Sequence, residues 1–127
     1  MRCAQSLPIK IGGQERELKF THNALLKLER VLPGSNLNLA MQQSCLPYSV
    51  EAHALLFALE GGGTKGLNLE IAEKWRDKYV DENGAMTLNV MLFQAILLSG
   101  AYGSPTKFKE LRDEAEQIAP DDDEKNQ

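Results

Sequence analysis

Apolar residues in this chain first occupy alternate positions and then, from about residue 21 onward, fall at helical spacing. Ile9 and Ile11 flank Lys10, Leu18 and Phe20 flank Lys19, and Gly12-Gly13 lies between the two runs. Alternation marks half-buried strands, and Gly-Gly supplies the positive φ that a tight hairpin turn needs. A two-stranded hairpin alone is marginal in water, so its Ile/Leu/Phe face must rest on something, and the next helix is the nearest candidate.

That helix is expected to start between Thr21 and Asn23, both good N-caps, and to bury Ala24, Leu25, Leu28, Val31 and Leu32. Pro33-Gly34 ends it. A short second helix follows, capped at Ser35 or Asn36, with Leu37, Ala40, Met41 and Cys45 on one side and Pro47 at its limit. The third, within "YSVEAHALLFALEGGG", is capped by Ser49 and stopped by Gly61 to Gly63. The fourth, Leu69 to Glu82, turns Ile71, Ala72, Trp75 and Tyr79 inward and Glu70, Glu73, Lys74, Arg76 and Asp77 outward. Asn83-Gly84 closes it, and a fifth runs from about Thr87 to Ser99. The predicted fold is therefore mainly α, a bundle of about five helices with a short N-terminal β-hairpin.

Helices three and five are apolar nearly all round, which requires burial on most sides or coverage by a partner. One such helix is easily housed in a body of about a hundred residues, and two are harder to house. Leu55, Leu56 and Leu59 on the third helix and Leu92, Phe93 and Leu97 on the fifth are the expected partner-binding residues.

Beyond "GAYGSP" the composition changes. A helical domain over residues 1–104 is expected to give way to a charged extension over 105–127 whose last residues, "PDDDEKNQ", are disordered. The net charge of −4 resides there, since residues 106–127 hold four basic and eight acidic groups. The body is neutral and offers no basic stripe, which argues against nucleic acid as a partner. No apolar run reaches the length of a membrane span and "MRCAQSLPIK" has no secretory h-region, so a cytoplasmic protein is expected. Two cysteines are too few for a disulfide framework; Cys45 reads as a buried thiol and Cys3 as part of a mobile terminus.

Chemical motifs fail on spacing. "YVDENG" would place Tyr79 and Val90 at calcium-ligating positions, which neither can fill. "EGGGTKG" has Thr64 before Lys65 and follows a helix, the reverse of a phosphate loop, and reads as a connector. His22 and His53 have no cysteine at zinc-site spacing, and His53 falls where the third helix should face solvent. No nucleophile has an evident base. Catalytic, cofactor and metal residues are therefore assigned to none, and a non-enzymatic role is expected. A helix-turn-helix regulator is a weaker alternative, because the third and fifth helices are too apolar to lie in a groove and the fourth has balanced charge.

The opening stretch "IGGQERELKFTHNALLKLERVLPG" resembles the start of the tail assembly chaperones of long-tailed bacteriophages, the kind found also in gene transfer agents. The resemblance rests on Gly12, Gly13, Arg16, Leu18, Phe20, Asn23, Ala24, Leu25, Leu28 and Glu29. "YSVEAHALLFALEGG" is similar to the segment after that family's short linker helix, and "LNVMLFQAILLSG" to its closing apolar helix. The order of elements corresponds over roughly residues 9–103. The resemblance implies a chaperone in the host bacterial cytoplasm that binds the tape measure protein and helps major tail tube subunits polymerise around it. Self-association is a further contact it leaves open, and no membrane or nucleic acid is involved. A structural or tail-completion phage protein is the alternative within the same setting.

Overall fold

The computed structural model describes residues 5–103 and Glu114. Among these residues the chain runs from strands β1 (Leu7–Ile11) and β2 (Gln14–Leu18) into helices α1 (His22–Val31), α2 (Leu37–Gln42), α3 (Glu51–Gly61), α4 (Leu69–Asn83) and α5 (Ala85–Leu98). Short 3-10 turns at Pro33–Ser35 and Tyr48–Val50 precede α2 and α3. The predicted mainly helical fold with an N-terminal hairpin is the observed one. The charged extension expected over 105–127 lies, apart from Glu114, outside the described residues, as does Cys3.

The strands pair antiparallel, with Ile11 opposite Gln14 across Gly12 (φ 64°) and Gly13 (φ 82°). Two consecutive positive φ values make this the primed turn whose twist suits a hairpin. Ile9, Ile11, Leu18 and Phe20 are all buried, so the apolar face of the hairpin is part of the common core. Arg16 stands opposite Ile9 and therefore shares that face. Its guanidinium lies 4.5 Å over the Trp75 ring, while Nε donates to Ile11 O (3.0 Å) and Nη2 to Gly12 O (3.2 Å).

One edge of this sheet is covered and the other is guarded against another strand. The outer edge of β2 is pressed against the end of α3. A Cβ on Gly61 would lie 2.1 Å from Lys19 O, and one on Gly62 2.0 Å from Glu17 O. Lys19 N also donates to Ala58 O at 3.0 Å. On the far edge, Pro8 has no N–H to offer and Lys10 is exposed, the two usual guards of a free edge.

The helices begin where side chains can cap them. Thr21 Oγ1 accepts from Ala24 N, Asn36 Oδ1 from Leu39 N and Asn68 Oδ1 from Ile71 N, at 2.9–3.1 Å. Ser49 is not a cap: the Tyr48–Val50 turn carries the chain directly into α3, whose N-cap, Val50, makes no side-chain bond. Cys45 is not buried either. Helix α2 ends at Gln42 and Ser44 takes a φ of 57°, so Cys45 lies beyond the helix and is exposed.

Helix α3 is the axis of the fold, touched by β2, α1, α4 and α5. Its Ala52, Ala54, Leu55, Leu56, Ala58 and Leu59 are buried, and α5 adds Leu88, Leu92, Ala95 and Ile96 to the same core. Of the two all-apolar helices, α3 is enclosed and α5 is not.

Candidate partner-binding site

The six expected partner-binding residues do not form a surface. Leu55, Leu59 and Leu92 have no exposed area and Leu56 is only 9% exposed. Phe93 and Leu97 are half-buried and packed against the core. The expectation that Leu55, Leu56 and Leu59 bind a partner is corrected, since four neighbouring elements already cover α3, and so is that for Leu92, which is fully buried. Their burial of about 1.5–3 kcal/mol each stabilises the fold itself.

The apolar surplus is real but falls on other residues. Exposed large apolar side chains among the described residues are Leu26, Leu39, Tyr48, Met86 and Val90, with Met86 at 70%. Met86 and Val90 are one turn apart on α5 and so share a face. Met86, Tyr48 and the exposed Cys45 rim a cavity of about 190 Å³ whose inner walls are Leu46, Ala85, Glu51 and Asn89. The chain itself brings these walls together, because the loop from Cys45 to Tyr48 crosses the start of α5.

That crossing is held by Asn89. Its Oδ1 accepts from Leu46 N (3.0 Å), and its Nδ2 donates both to Leu46 O (2.8 Å) and to Glu51 Oε2 (2.6 Å). Leu46 N–H and C=O fix which way the amide faces. Glu51 is 1% exposed, and its second oxygen, Oε1, is buried without a partner. Arg76, expected on the wet face of α4, is instead half-buried with its guanidinium 5.1 Å over the Tyr48 ring and Nε donating to Asp77 Oδ1. An aromatic ring next to a turn of α4 is a better seat for an arginine stem and cation than bulk water alone.

Burial pushes the Glu51 carboxyl above its ordinary value of 4.5, with the Asn89 hydrogen bond and the Arg76 charge opposing the shift. The folded state therefore holds this proton more tightly than the unfolded chain does. Its contribution to stability is complete below pH 4.5 and is lost as pH rises through the higher folded value. Glu51→Gln keeps an acceptor for Asn89 and removes the titration. Thermal melts should show it more stable than the wild type at pH 8, with the advantage shrinking towards pH 4.

Elsewhere the described residues hold less chemistry. A cavity of about 380 Å³ between the hairpin turn and α4 is lined by Lys10, Gly12, Trp75, Lys78, Tyr79 and Glu82, a mixed set with no convergent groups. Trp75, predicted to face inward, is half-buried, with Arg16 stacked on it. His53 is half-buried rather than solvent-facing, its ring 6.2 Å from Phe57 and its Nδ1 buried without a partner. Among the described residues no group of three or more His, Cys, Asp or Glu could hold a metal ion. No helix among them is long and apolar enough to cross a membrane.

Sequence reasoning passed over Tyr48, Glu51, Met86, Asn89 and Val90. One signal was present: Asn89 is a polar residue inside "TLNVMLFQAILL", and a buried amide in an apolar helix must be bonded to something. Compared with protein-family profiles, curated proteins and solved structures, the chain gives no match.

Proposed function

We propose that this protein is a non-enzymatic assembly chaperone that holds a helical client against the face formed by Tyr48, Met86 and Val90. The observation that carries this reading is the exposed Met86–Val90 pair on α5 beside Tyr48 and a cavity rimmed by two of the three. Apolar residues one turn apart, with a pocket beside them, suit the i, i+4 anchors of an amphipathic helix. Methionine adds a side chain that adapts to varied partners. The resemblance of residues 9–103 to phage tail assembly chaperones supplies the specific form: the client is the tape measure protein, and the product is a tail tube polymerised around it in the bacterial cytoplasm.

Co-expression tests this directly. The wild type should keep the tape measure protein of the same phage genome soluble and in complex. Changing Met86 and Val90 together to Gln should leave folding within about 1 kcal/mol, as surface substitutions do, while most of the rescue is lost. Rescue by the double variant at the wild-type level would remove α5 as the client surface. Leu92→Gln is the contrasting control, expected to abolish rescue by unfolding the protein.

A further inference from the structure

We propose that the Cys45–Tyr48 segment is a proton-controlled flap, closed on the start of α5 while Glu51 is protonated and open more often once Glu51 is ionised. Tyr48 travels with this segment, so the opening also alters the proposed client face; the flap itself stands apart from that reading.

The flap is fastened to α5 through one side chain. Leu46 N–H donates to Asn89 Oδ1, and Leu46 C=O accepts from Asn89 Nδ2. The same Nδ2 donates to Glu51 Oε2 at 2.6 Å, so the fastener and the carboxyl share one group. The segment lies between two bends, the break after α2 with Ser44 at φ 57° and the Tyr48–Val50 turn. Such element-terminal positions can absorb the backbone change of a hinge. Leu46 is only 2% exposed, so the closed form dominates and the open one is a minor state.

Glu51 is poorly placed to ionise in the closed form. It is 1% exposed, its Oε1 is buried without a donor, and among the described residues no cation forms an ion pair with it. Helix α5 carries no charged residue from Ala85 to Leu98. Helix α4 supplies Arg76, whose charge favours the carboxylate but whose Nε already donates to Asp77 Oδ1. The segment itself adds the Cys45 thiol and the Tyr48 hydroxyl. His53, two residues along α3, lies on another side of that helix. Lost hydration outweighs the Asn89 bond and the Arg76 charge, so the closed form holds the proton above the ordinary carboxyl value. Opening returns the carboxyl to water. A proton bound more tightly by the closed form favours closure, and its loss favours opening. The segment is therefore held best below pH 4.5, and opening grows as pH rises through the closed-form value and then levels off.

Amide hydrogen exchange of the full chain, followed by NMR between pH 5 and 8, tests the flap. Each rate is divided by the intrinsic rate of that amide at the same pH, which leaves the opening equilibrium. Leu46 should exchange at least about tenfold faster than Leu55 in the core of α3, because the flap opens without global unfolding. Its protection should fall at least about fivefold across this range in the wild type. In Glu51→Gln, which has nothing to titrate, the fall should stay below about twofold. If this variant does not fold, the carboxyl ¹³C signal of Glu51 in the wild type decides: Leu46 protection must level off at the pH where that carbon titrates. Equal protection of Leu46 and Leu55, Leu46 protection independent of pH, an undiminished fall in Glu51→Gln, or levelling at a different pH would overturn the flap. None of these outcomes bears on client rescue by the Met86/Val90 variant, so the chaperone reading keeps its own test.

Discussion

Gly62→Ala should destabilise the protein by about 3 kcal/mol or more, the upper end of what overpacking costs. The added methyl would sit 2.0 Å from the carbonyl oxygen of Glu17, an atom of β2's backbone that cannot rotate away. Either the hairpin lifts from the end of α3 or the last turn of α3 distorts. Both loosen a core that contains Ile9, Ile11, Leu18 and Phe20. Gly61→Ala should behave alike, with its methyl 2.1 Å from Lys19 O. The sign is the informative part. Gly62 has an ordinary φ of −86°, and Gly61 is helical, so propensity alone predicts a gain of up to about 1 kcal/mol for alanine. Gly63 is the comparison: its φ is 105° and no atom lies near, so alanine there should cost only about 1–2 kcal/mol of backbone strain. Urea midpoints at unchanged m-value would rank the three. Stabilisation by Gly61→Ala or Gly62→Ala would show that the hairpin does not rest on α3 in this way.

The second large effect belongs to Asn89. Asn89→Ala should cost about 3–5 kcal/mol, because it leaves Leu46 N–H, Leu46 C=O and Glu51 without partners at about 1–3 kcal/mol for each buried orphan. Asn89→Leu should fail as well, although it would make α5 more uniformly apolar. Leucine fills the volume and bonds to none of the three groups. Such a loss would be a large share of the 5–15 kcal/mol that stabilises a typical domain. Denaturant unfolding measures the loss, and the Leu46 amide should become fast to exchange with solvent. A loss below about 1 kcal/mol would mean that water replaces the amide and that the Cys45–Tyr48 segment is not fixed by it.

How far the chain could be read without its structure depended on whether the signal was local. The hairpin was legible because alternation and Gly12-Gly13 act within a dozen residues. Helices α1, α2 and α4 were legible because Thr21, Asn36 and Asn68 offer caps and because apolar positions recur on one face, although Asn68 was not singled out. Even Gly61 to Gly63 was legible as a helix stop. Its second role was not: that Gly61 and Gly62 must lack a Cβ follows from where β2 passes, some forty residues earlier in the chain.

The candidate site was the least legible part. An amphipathic helix states its own orientation, whereas a helix that is apolar all round gives no phase from which to choose an outward side. The sequence by itself therefore determined that α3 and α5 carry more apolar surface than one buried helix needs. Only tertiary packing decided that α3 is enclosed while Met86 and Val90 of α5 stay exposed. It alone also brought Leu46, Glu51 and Asn89 together, since hydrogen bonds spanning 38 and 43 residues leave no periodic trace in a sequence. Caps, turns and strand alternation are set between neighbours along the chain; exposure and buried polar pairing are set by which neighbours arrive from elsewhere.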